Sequence, residues 1–93
     1  MPWRMFMRVE ITSKVVEMIL HLLPYLNEAD IRTQTYLGKN GLGMESMSFL
    51  ELLVKVQQEF NIVIDDDYWD IRELSCVQKI VDYIIQKMDI SNH

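Results

Sequence analysis

Apolar positions recur at helical spacing three times along this chain, separated by polar stretches rich in turn residues. The most strongly patterned stretch runs from Leu42 to Phe60, LGMESMSFLELLVKVQQEF. Leu53, Val56 and Phe60, with Phe49 one turn earlier, share one face of the helix this spacing predicts. Met47, Leu50 and Val54 form a second stripe, and together the two make a band too wide for a helix with one neighbour. An earlier helix is predicted from about Thr12 to Leu23. Ile11, Val15, Ile19, Leu22 and Leu26 line one stripe, with Val16, Leu20 and Leu23 beside it. Thr12 or Ser13 can cap its start, and Pro24 stops or kinks it by removing a donor and crowding the preceding turn. The last helix follows Ser75. Ser75 and Gln78 have capping-box spacing, and Val77, Ile80, Val81, Ile84 and Ile85 give the apolar face.

The intervening segments carry their own signals. Tyr25 to Gly43 is long for a connection in a small domain, and Ile31, Tyr36, Leu37 and Leu42 are spaced along it like anchors across the helices. All three glycines, Gly38, Gly41 and Gly43, fall just before Ser46, where they let the backbone turn tightly into the next helix. GKNGLG lacks the spacing of a phosphate-cradling loop, and no strand precedes it. After the central helix comes an apolar connector, Asn61 to Ile64, and then Asp65, Asp66 and Asp67. These carboxylates lack the spacing of a calcium loop and suit the start of a short helix over Asp66 to Ile71, burying Trp69, Ile71 or Leu74. Residues 1–11 read both ways. Trp3, Met5, Met7, Val9 and Ile11 alternate like a strand, whereas Trp3, Phe6, Met7 and Ile11 fit a helix. We expect an arm over 1–11 that extends the first helix or packs over the domain, a single domain over 12–88, and a frayed polar tail over 89–93. Arg4 and Arg8 flank the arm's aromatics, which leaves a membrane-touching or partner-touching arm as the alternative.

Charge and residue chemistry narrow the function. A formal net charge of −5 argues against nucleic acid, which needs clustered Lys and Arg, and suits partners with basic surfaces. The single cysteine, Cys76, excludes an internal disulfide framework and a Cys-rich metal site, so a reducing cytoplasm is the expected compartment. No apolar run has the roughly 18–20 residues of a membrane span, and the N-terminus does not read as a secretory signal. No constellation supports catalysis and no metal site is indicated. His21 has no partner near it in sequence, and Cys76 has neither a base nor a resolving thiol, so both read as ordinary surface and packing residues.

Ser46 is the residue with chemistry in prospect. It falls at or just before the first turn of the central helix, where free N–H groups and the helix dipole favour an anion, so a phosphodiester built there would be stabilised. A plain cap, by Ser46 or by Ser48 with Glu51, is the competing account.

Gly43-Met44-Glu45-Ser46-Met47, the helix FLELLVKVQQEF after it, the NIVI connector and SCVQKIVDYI from Ser75 to Ile84 together resemble the acyl and peptidyl carrier proteins. The resemblance covers about Thr12 to Lys87, with Glu45 where the family has Asp and Met47 where it has Leu. It implies an all-α four-helix bundle of the acyl-carrier type, with three main helices, one short helix and a long first loop. It further implies 4′-phosphopantetheine joined to Ser46 from coenzyme A by a separate phosphopantetheinyl transferase, with acyl or aminoacyl groups held as thioesters. Such a chain would be a monomeric, freestanding carrier and not an enzyme. Loading and processing enzymes would act in trans, in a specialised fatty acid, polyketide or nonribosomal-peptide type pathway. Met44, Glu45, Met47, Leu50, Glu51 and Val54 are the expected partner-binding residues. Methionines there adapt to successive partners, and Glu45, Glu51 and Glu59 steer basic surfaces, diluted by Lys55. The alternative for the Met47, Leu50 and Val54 stripe is packing beneath the long loop. The rival function is a helical adaptor of the same fold without a prosthetic group.

Overall fold

A computed structural model describes the backbone of residues 2–91 and the side chains of residues 7–89. The packing of Trp3, Met5 and Phe6 and the last two residues of the expected tail lie outside the described residues. Three α-helices, α1 (Pro2–Leu22), α2 (Ser46–Phe60) and α3 (Val77–Ser91), carry the fold, and α1 packs against both others. Two 3₁₀ turns, Glu28–Asp30 and Asp66–Tyr68, punctuate the connections, and no strand occurs among the described residues. This is the all-α architecture the apolar periodicity predicts.

The apolar stripes meet as their spacing requires. Ile11, Val15 and Ile19 of α1, Leu52, Leu53 and Val56 of α2, and Val77, Ile80 and Ile84 of α3 are all buried in one core. The three helices enter and leave differently from the sequence reading. Helix α1 is continuous from Pro2, so residues 1–11 extend the first helix over the described positions, and Thr12 and Ser13 lie mid-helix instead of capping it. Burial of Ile11 and packing of Met7 on the core outweigh a weak capping preference. Arg8 also pairs with Asp82 of α3 at 2.8 Å. At the other end, Leu23 N–H reaches Ile19 carbonyl at 2.8 Å just before Pro24 stops the helix. Helix α2 ends on Asn61 in the left-handed conformation (φ 53°), its N–H closing onto Gln57 carbonyl.

The long connection is ordered by backbone bonds to the entrances of α2 and α3. Ile31, Leu37 and Leu42 are buried anchors, while Tyr36 stays exposed. Leu37 N–H donates to Ser75 carbonyl, and Met44 N–H donates to Leu37 carbonyl, each at 2.8 Å. Gln78 N–H donates to Thr33 carbonyl at 2.8 Å. That bond takes the donor which a Ser75–Gln78 capping box would use, so the long loop, not Ser75, caps α3. Gly43 has φ +83°, a value that disfavours any side chain, and Gly41 lies so close to Tyr36 that a Cβ would overlap the Tyr36 carbonyl oxygen. Gly41→Ala is therefore expected to destabilise the protein by about 1–3 kcal/mol in urea unfolding. An unchanged midpoint would show that the turn yields freely.

The acidic connector forms one 3₁₀ turn in place of the helix expected over Asp66 to Ile71. Trp69 Nε1–H donates to Ile64 carbonyl at 3.0 Å, and the Asp70 carboxylate accepts Arg72 N–H at 2.8 Å, so the chain leaves helical geometry there. Leu74 is buried, and Trp69 and Ile71 are half-buried. Asp65 binds α3 instead of heading a helix: its N–H donates to Tyr83 Oη, Tyr83 O–H donates to its Oδ2, and Lys87 Nζ lies 2.8 Å from that oxygen. Lys87, then Tyr83, hold the Asp65 carboxyl below its usual range, while burial raises the Tyr83 phenol. The tail expected to fray from residue 89 instead continues α3 to Ser91. Cys76 is a buried free thiol and His21 is exposed, as ordinary packing and surface residues would be.

Candidate functional site

Ser46 is the first residue of α2 and is exposed. Glu45 occupies the cap position in extended conformation (φ −81°, ψ 163°), and its side chain makes no capping hydrogen bond. Ser48 lies two residues inside the helix, so the capping box with Glu51 does not form. Neither serine is engaged as a cap. The first turn of α2 contains no acidic residue, so its orphan N–H groups face no carboxylate from within that turn. An ester-linked phosphate on Ser46 would meet favourable backbone dipoles there, and the exposed hydroxyl leaves room for it.

A groove of about 800 Å³ opens beside Ser46. Leu50 contributes apolar surface from the α2 side, backed by the buried Met44 and Phe49, and Trp69 and Ile71 contribute it from the connector before α3. Tyr36, Lys39, Glu45 and Asp70 add polar groups. The far wall is held by the Trp69 bond to Ile64, whose own N–H donates to Gln57 Oε1 of α2 at 2.9 Å. On the near side, Tyr25 Oη donates to Leu42 carbonyl at 3.1 Å, steadying the approach to Ser46. An exposed hydroxyl, uncapped helix N–H groups and an adjoining part-apolar groove fit a long flexible group bearing a phosphate. The groove was not legible in the sequence, because Trp69 and Ile71 reach it only through the bend at Asp70.

The expected partner-binding residues divide. Met47, Leu50 and Val54 are exposed at 73%, 42% and 41%, so this stripe does not pack beneath the long loop. They share a shallow surface depression with Glu51 on the outer side of α2. Met44 is different: it is 4% exposed and belongs to the core, a correction to its expected place on the docking surface. The bond from its N–H to Leu37 carbonyl holds this stretch against the long loop, and its side chain is buried in the core. Glu45 and Glu51 are exposed. Glu59 is already paired with Lys14 of α1 at 3.3 Å.

The sequence profile described as the phosphopantetheine attachment site matches residues 13–84, the segment that holds α2, the groove and most of α3. The chain belongs to this family, the acyl carrier proteins. The acyl carrier protein of Chlorobium phaeobacteroides is 30% identical over 78 residues, covering 84% of this chain and 95% of that protein. The acyl carrier protein of Porphyromonas gingivalis is 32% identical over 75 residues, covering 81% and 91%. The mitochondrial acyl carrier protein of Saccharomyces cerevisiae is 32% identical over 83 residues, covering 86% of this chain and 64% of that protein. Membership makes the chain a carrier and not a catalyst, with covalently attached 4′-phosphopantetheine as its prosthetic group. Phosphopantetheinyl transferases and acyl-processing enzymes are the partners of such carriers. Among the described residues, no helix is long and apolar enough to cross a membrane.

Proposed function

We propose that Ser46 is the attachment residue and that the chain presents thioester-bound acyl groups to separate enzymes. The observation that carries this reading is the exposed Ser46 hydroxyl at the uncapped start of α2, beside the groove and inside the family-matched segment. When attached, the arm supplies a terminal thiol that carries the acyl group. The chain's own residues do the rest: Ser46 Oγ holds the phosphate, the first turn of α2 favours its charge, and Phe49 and Trp69 border its path. The relatives' names favour acyl over aminoacyl cargo. The proposed setting is a specialised fatty acid, polyketide or nonribosomal-peptide type pathway. A reducing compartment such as the cytoplasm suits a carrier whose working group is a thiol.

Incubating the apo protein with coenzyme A and a broad-specificity transferase, followed by intact-mass and fragment-ion measurement, tests this directly. One pantetheine group mapped to Ser46 is expected. No gain, or a gain on another residue, overturns the reading and favours an adaptor that works without the group.

For docking, the proposed face is Met47, Leu50 and Val54, with Glu45 and Glu51 supplying charge. Exposed methionine and aliphatic groups adapt to partners met in turn, and flanking carboxylates steer basic surfaces. Met47→Glu is expected to lower kcat/KM for transfer to a partner enzyme by about fivefold or more, the scale of a lost interface anchor. Helicity and unfolding midpoint should not change. A large loss of helicity in this variant would place Met47 in the fold and not in the interface.

A further inference from the structure

We propose that Lys39 is the cation that holds the phosphate of the Ser46-linked arm and so orients the arm's first segment across the groove. The inference rests on Ser46 as the attachment residue. Lys39 sits in a closed turn: Gly38 carbonyl accepts N–H groups from both Gly41 and Gly43 at 2.9 Å. The adjoining bond from Met44 N–H to Leu37 carbonyl returns the chain to the start of α2. This geometry brings Lys39 to the lining of the groove beside Ser46.

The charges around the groove single it out. Its charged lining side chains are Lys39, Glu45 and Asp70. Asp70 is already engaged by the Arg72 guanidinium, Nη2 to Oδ2 at 2.8 Å and Nε to Oδ1 at 3.2 Å, and Arg72 does not line the groove. Glu45 would repel an anion on the residue that follows it. Lys39, by contrast, makes no hydrogen bond or ion pair among the described residues. Its ammonium can therefore meet a new phosphate without breaking an existing pair. Lysine acts on phosphate as a mobile point charge, which suits a group attached through a flexible ester. Because Lys39 is exposed, the contact is salt-screened.

The test uses the wild-type protein and Lys39→Gln, each treated with coenzyme A and a transferase and checked by intact mass. Phosphorus NMR of the modified proteins then compares the phosphodiester resonance. It should differ between them at low salt and converge as salt is raised. In wild type, hydrogen exchange of the Lys39 ammonium, followed by nitrogen-15 NMR, should slow about two- to fivefold on modification, the scale of an exposed ion pair. Equal phosphorus resonances at every salt concentration, with unchanged ammonium exchange, would overturn the inference while leaving Ser46 intact. If Lys39→Gln resists modification, the ammonium exchange of the wild type alone decides. Failure of wild type to gain mass, or modification elsewhere, removes Ser46 and Lys39 together.

Discussion

Ser46→Ala is expected to abolish the coenzyme A-dependent mass gain completely while changing the unfolding free energy by no more than about 0.5 kcal/mol. The two halves of this outcome come from different features. Chemically, alanine has no oxygen to take the phosphate. Structurally, little is lost, because the Ser46 side chain is exposed at the first helical position and does not supply the cap. Alanine also has the highest intrinsic helix preference, so the start of α2 has no reason to unravel. Ser48→Ala is the matched control, since Ser48 lies inside the same first turn and should keep the full gain. A retained gain in Ser46→Ala would move the attachment residue elsewhere. A collapsed fold would mean that the serine side chain is structural after all.

Two adjacent residues of α2 should behave oppositely under the same truncation. Leu53 is fully buried between α2 and its neighbours, whereas Val54 is 41% exposed on the outer face. Leu53→Ala removes apolar surface from a close-packed site and leaves a cavity, so a loss of about 2–5 kcal/mol is expected in urea unfolding. Against a domain stability of roughly 5–15 kcal/mol, that is a large fraction. Val54→Ala should stay within about 0.5 kcal/mol, and its cost should show instead in transfer to a partner. Equal destabilisation by both would mean that α2 is covered on its outer face, contrary to the exposure of Met47, Leu50 and Val54.

The helices and the orientation of α2 were legible because they rest on local periodicity. Phe49, Leu53 and Val56 point inward and Met47, Leu50 and Val54 outward, as the two stripes divide. That band is too wide for a helix with one neighbour, and its outer stripe faces solvent. What escaped the sequence depends on distant partners. Ser75 and Gln78 have the right spacing for a capping box, but the Gln78 N–H is taken by Thr33, far away in sequence. Met44 resembles Met47 in chemistry and is near it in sequence, yet Met44 is buried beside the long loop before α2 and Met47 is exposed on the helix. Residues 3–11 matched two periods equally, and the packing of Met7 and Ile11 on the core decides for the helix. At the candidate site, Ser46 could be found from its glycines and the helix behind it. Lys39 could not, because its relevance depends on the closed turn and on which carboxylates already have partners.

Leu37 gives the long loop a role beyond anchoring. Its N–H is bound to the entrance of α3, its carbonyl to the entrance of α2, and its side chain is fully buried. Opening the polypeptide at either helix start removes one of the two backbone bonds that hold Leu37, the residue both entrances share. The two entrances therefore belong to one cooperative unit of local unfolding. An enzyme that pulls on the serine end of α2 works against a shared barrier, not against the fraying of a single helix. With Ser46 as the proposed attachment residue, a pull on the arm would load a residue that also anchors the entrance of α3.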